Sequence, residues 1–129
     1  KFKNDAIGNM ITSFDVYGSK LPKIEIYGTK GSVIVPDPNT FGGEVLLKQN
    51  FDNEFQTYPL INRFSDNSRG LGVSDMAECL ISGSRENCAN GVLALHVLEI
   101  MEKILLSSEF KKEIELETTC NRPRISPVL

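Results

Sequence analysis

From Asn90 to about Ser107 the chain reads as one long amphipathic helix, and no other segment limits the possible folds as much. At about 100° per residue, Leu93, Ala94, Val97, Leu98, Ile100, Met101, Ile104 and Leu105 fill a continuous apolar arc. Glu99, Glu102 and Lys103 lie opposite, and Glu99 and Lys103 stand at favourable i,i+4 spacing. An arc this wide needs a large apolar surface over it, most simply the face of a sheet. A second helix is expected from Asp75 to about Ser82. Ser74 would cap it, Asp75 would sit at the positive end of its dipole, and Gly83 would end it. Met76, Leu80 and Ile81 share one of its faces.

The first half supplies the sheet. Lys3 to Tyr17 is rich in β-formers (Ile7, Ile11, Thr12, Phe14, Val16, Tyr17), with an Asn4-Asp5 turn signal near its start. Lys23-Ile24-Glu25-Ile26-Tyr27 alternates apolar and polar, and Ser32-Val33-Ile34-Val35 follows after a short glycine-bearing turn. Two such runs around such a turn make a hairpin. Pro36-Asp37-Pro38-Asn39 breaks the second strand, because proline has no N–H for a ladder. Glu44 to Lys48 and Phe55 to Leu60 read as two further strands, and Asn62 to Gly72 as a loop. Glu113 to Thr119 alternates strictly and reads as a final half-buried strand, with a short helix through Phe110 and Ile114 as the rival reading. Arg122-Pro123-Arg124 and Pro127 then make an extended tail. Strands first and helices second define an α+β fold: an open, largely antiparallel sheet with the helices packed on one face. At 129 residues the chain is expected to be a single domain, 1–129.

Composition narrows the functions. Net charge is −3 with basic and acidic residues interspersed, so no basic stripe offers itself to nucleic acid. No apolar run approaches the ~20 residues that span a bilayer. Cys79, Cys88 and Cys120 are odd in number and widely spaced, which argues against a secreted disulfide framework and for the cytoplasm. The sequence has no initiator Met and no leader, and is read as a piece of a longer protein.

Little of the chain carries chemistry. Gly70-Leu71-Gly72-Val73-Ser74-Asp75 begins like a dinucleotide fingerprint, but Asp75 stands in place of the third glycine and no buried strand precedes it. His96 is the sole histidine and falls at the edge of the apolar arc, where a boundary histidine bonded to a neighbour is expected. The cysteines lack the clustering zinc requires. Glu113, Glu115 and Glu117 would line one side of the last strand as a solvated face. Asp15, Tyr17 and Lys20 offer a carboxylate, a phenol and an ammonium suited to a polyol, although by residue type alone a surface strand end and turn is the better account of them.

Several segments, in order and spacing, resemble the C-terminal half of the glucose–fructose oxidoreductase / inositol dehydrogenase / MocA family. They are Lys23 to Ser32, then Val33-Ile34-Val35-Pro36-Asp37-Pro38-Asn39-Thr40-Phe41-Gly42-Gly43, then Gly72 to Ala77, then Leu93 to Glu102. The resemblance covers nearly the whole chain. It implies the α+β C-terminal domain of that family, of the type found in glyceraldehyde-3-phosphate dehydrogenase, following an N-terminal Rossmann domain that this chain lacks. It further implies NAD or NADP bound by that absent domain, a sugar or cyclitol substrate, and a homo-oligomer formed through the sheet face. The family's Glu-Lys-Pro and Asp-x-x-x-His motifs are missing, so no catalytic role passes to His96 and the chain alone is expected to catalyse nothing. Asp15, Tyr17 and Lys20 lie where the family can place polyol contacts and are carried over as substrate-binding residues. The competing expectation is a non-catalytic module whose open sheet face binds a protein partner.

Overall fold

The computed structural model describes residues 1–60, 64–66, 68–84 and 86–123. Its centre is a hairpin, β1 (Ile24–Gly28) and β2 (Gly31–Val35), joined by the two residues Thr29 and Lys30. Gly31 is required by the sheet itself: a Cβ there would lie 2.5 Å from the Lys48 carbonyl oxygen on the neighbouring strand. β3 (Val45–Gln49) pairs antiparallel with β2, and β4 (Gln56–Tyr58) with β3. The result is a four-stranded antiparallel meander in chain order.

The pairing sorts the sheet into two faces. Ile24, Ile26, Val33, Val35, Val45 and Leu47 lie on one, because residues directly opposite share a face and alternate residues do not. Glu25, Tyr27, Ser32, Ile34, Leu46, Lys48 and Thr57 lie on the other. Between β2 and β3 the chain bends where Pro36 and Pro38 remove ladder donors. Asp37 accepts a bond from the Asn39 N–H at 2.9 Å and starts a short 3₁₀ turn, Pro38–Thr40. Phe41 closes it in the left-handed region at φ 68. Gly42 is buried, and a Cβ on it would run into the Ser65 backbone.

Two helices follow, α1 (Leu71–Ser82) and α2 (Gly91–Phe110), so the architecture is the α+β one expected. α2 begins at Asn90, whose side chain accepts the Leu93 N–H at 3.0 Å, and closes on a left-handed Lys111. α1 ends at Gly83 as read from the sequence.

Four local expectations are corrected. Lys3 to Tyr17 forms no strand: the segment is exposed coil, although Asn4 and Asp5 do turn the chain. β-forming side chains make a strand only where a neighbour pairs with them. Ser74 is not a cap. α1 begins at Leu71 with Gly70 as its N-cap, so Ser74 and Asp75 lie inside the helix, as do the last two residues of the expected 62–72 loop. Residues 62, 63 and 67 of that loop lie outside the described residues, as does the tail from 124. Glu113 to Thr119 is not a strand, because α2 holds the backbone of Glu117 and Thr118 through a side chain instead of a ladder.

Burial is sparse. Among the described residues only the Cys79 and Asp75 side chains are buried. Close packing between elements is strand against strand, and the apolar arc of α2 is left largely open, with Leu98 and Met101 about half exposed. The exposed surface is 11534 Å². A compact chain of 14.3 kDa would expose roughly 6,800 Å².

Candidate functional site

Asp15, Tyr17 and Lys20 lie in exposed coil between the chain's start and β1. The Ser13 hydroxyl accepts the Asp15 N–H at 3.1 Å, and the Ser19 hydroxyl accepts the Leu21 N–H at 3.1 Å. Two small turns of this kind shape the segment. Tyr17 is fully exposed. All three side chains are reachable from solvent, and the described structure builds no enclosure around them.

The most concentrated polar chemistry lies between α2 and the segment after it. Glu99 projects from α2 and accepts the Glu117 N–H at 2.6 Å and the Thr118 N–H at 2.8 Å. The Thr118 hydroxyl also donates to Glu99 Oε2. Three donors on one carboxylate favour its ionised form. Those from Glu117 and Thr118 hold the Glu99 pKa down at about 2, against an ordinary 4.5. His96, one turn earlier and half-buried, lies with Nδ1 2.8 Å from Thr118 Oγ1. That hydroxyl has one proton and gives it to Glu99, so His96 Nδ1 is the donor of the shared bond. Lys103, one turn later, bonds Glu117 Oε1 at 2.8 Å, and this partner raises the lysine pKa.

This cluster was only partly visible in the sequence. By sequence, i,i+4 spacing pairs Glu99 with Lys103, and alternation places Glu117 among three carboxylates on a strand. The fold gives Glu99 to the backbone of residues 117 and 118, and Lys103 to Glu117. The chemistry is that of a clamp: N–H and O–H donors hold the Glu99 carboxylate, and the Glu117 carboxylate holds Lys103.

A second anchor ties the α1–α2 connection. The buried Asp75 carboxylate accepts the Cys88 N–H at 2.7 Å. On the sheet, Tyr27 donates to Glu25, and this bond raises the phenol's pKa. A cleft of about 390 Å³ opens beside the turn after β2, lined by Val35, Pro36, Phe41, Val45 and Phe64 among others. Arg69 bonds Asn39 at 2.8 Å and stacks over Phe41, one of the lining residues, at 5.6 Å.

The one glycine pattern that hints at a dinucleotide does not fit one. Gly70 and Gly72 open α1, but a Cβ at either would meet nothing within 4 Å, and the residues before them are coil. Glycines that cradle a pyrophosphate are needed because backbone and ligand approach closely after a strand. Among the described residues no three His, Cys, Asp or Glu side chains gather as metal ligands, and no helix is long and apolar enough to cross a membrane.

An open antiparallel meander followed by two helices defines an α+β domain. The family model described as "Oxidoreductase family, C-terminal alpha/beta domain" matches residues 1–116, and the chain belongs to that family, the glucose–fructose oxidoreductase / inositol dehydrogenase / MocA oxidoreductases. No curated protein and no solved structure matches the chain.

Proposed function

We propose that this chain is the substrate-binding and oligomerisation domain of a cytoplasmic NAD(P)-dependent sugar or cyclitol oxidoreductase. The observation that carries this reading is the family match across residues 1–116. In the full-length protein an N-terminal Rossmann domain would hold NAD or NADP, and hydride would pass between a substrate carbinol carbon and the nicotinamide. This domain would wall the substrate side of the pocket and contribute its sheet face to a homo-oligomer. Asp15, Tyr17 and Lys20 would meet substrate hydroxyls; their solvent access is compatible with that role.

Isothermal titration of NAD⁺ and NADH into this chain and, in parallel, into a full-length parent tests the division of labour. Binding to the parent alone is expected. Micromolar binding to the chain alone would overturn it. Asp15→Asn and Lys20→Met in the parent are expected to raise KM for the sugar and leave cofactor affinity unchanged. Unaltered KM in both variants would remove these residues from the substrate site.

A further inference from the structure

The first 23 residues form an arm that is exposed along its whole length, and β1 beside it is exposed at all five residues. The arm carries Ile7, Met10, Ile11, Phe14, Val16 and Tyr17 in water, with Phe14 and Tyr17 fully exposed. Among the described residues its backbone hydrogen bonds are local, such as Phe2 N–H to Ala6 and Asp5 N–H to Phe2. A contiguous apolar run of this kind is covered in a stable protein.

β1 is an edge strand, since the strand order begins with it. Gly28 and Gly31 flank a two-residue turn and therefore exchange hydrogen bonds. Alternation along the ladder then turns the Ile26 and Ile24 backbone groups toward β2, and those of Glu25 and Tyr27 outward. The outward side presents free strand donors and acceptors, which readily pair with another extended segment.

The arm matches that edge in pattern. Read as a strand, Met10, Thr12, Phe14 and Val16 fall on one side, and Ile11, Ser13, Asp15 and Tyr17 on the other. The first set continues the apolar face that Ile24 and Ile26 share with Val33 and Val35. The second set falls beside Glu25 and Tyr27. One chain thus carries both an unpaired edge and a strand-like segment that is not laid on it. A surface with both halves of a complementary pair closes on itself through a two-fold axis.

We propose that residues 6–17 of one copy add as a fifth strand to the β1 edge of a second copy, reciprocally, with residues 18–23 as the hinge. The proposal rests on the oligomeric reading given above and supplies a different contact, the sheet's edge instead of its face.

Sedimentation equilibrium of the full 129-residue chain and of two variants tests it. The double variant Met10→Glu/Phe14→Glu alters only the exposed arm and leaves the meander's own contacts in place. Glu25→Pro removes an outward donor without removing a β1–β2 bond. The chain is expected to be a concentration-dependent dimer, and each variant a monomer with an unchanged far-ultraviolet spectrum. A dimer that persists in the arm variant would overturn the edge proposal and leave the sheet-face interface standing. A monomer at all concentrations, with the arm amides protected from exchange, would mean that the arm pairs with its own edge, and would overturn the exchange. If Glu25→Pro loses its β spectrum, the arm variant alone decides.

Discussion

Glu99 shows how a single carboxylate can take the place of a strand. It satisfies two backbone N–H groups and a hydroxyl of the segment that follows α2, and so fixes where the chain goes after the helix. Because its folded pKa of about 2 lies below the ordinary 4.5, the clamp stabilises the fold fully above that ordinary value. Its contribution is lost as pH falls from 4.5 toward 2. Lys103 behaves in the opposite sense: its raised pKa gives a contribution that is complete below 10.5 and disappears as pH climbs through the raised value. Protection of the Glu117 and Thr118 amides, measured against the intrinsic exchange rate at each pH, is therefore expected to fall as pH drops below 4.5 in the native chain. Glu99→Gln should give fast exchange at neutral pH and remove the acid-dependent step. A Gln variant that keeps both amides protected would show that the segment is held by other contacts. The sequence could not disclose this, since the alternation of residues 113–119 satisfies a strand pattern, and only the path of the chain decides whether a ladder partner is present.

Elements were legible where local chemistry decides them. The β1–β2 hairpin, the proline break after Val35 and the Gly83 stop of α1 all follow from backbone restrictions carried by the residues themselves. Errors arose where two local signals competed. Ser74 is a good cap by type, yet Gly70 starts α1 a turn earlier and the Asp75 carboxylate turns inward to hold the Cys88 N–H. Removing that partly buried acceptor deletes its hydrogen bond to the Cys88 N–H, so Asp75→Ala should cost about 1–3 kcal/mol in chemical denaturation. A change below a few tenths would mean that the α1–α2 connection does not depend on this bond. Gly42 is the corresponding point in the sheet's turn: its missing side chain is what lets the Ser65 backbone approach. Gly42→Ala should destabilise by about 1–3 kcal/mol through overpacking, with the loss confined to the unfolding midpoint. An alanine variant as stable as the parent would place Ser65 elsewhere in solution.

At the scale of the molecule the two halves of the sequence reading separate. The class of fold was legible because strand and helix periods occupy different halves of the chain. The apolar arc of α2 calls for a large covering surface, and among the described residues this chain's own sheet does not supply it: Leu98, Met101, Ile104 and Leu105 all remain substantially exposed. A chain exposing 11534 Å² against roughly 6,800 Å² for a compact one of its mass loses less surface on folding than its length suggests. The denaturant slope scales with the surface newly exposed on unfolding. The isolated chain, diluted until it is monomeric, should therefore unfold in urea with a slope at or below the bottom of the usual range of about 1–3 kcal/mol per molar. It should also bind a hydrophobic dye before any denaturant is added. In the full-length parent the same helix should be covered, and both signals should disappear. A steep transition without dye binding in the diluted chain would mean that α2 finds its cover within these 129 residues. The helix–sheet layer absent from the described structure would then have formed in solution.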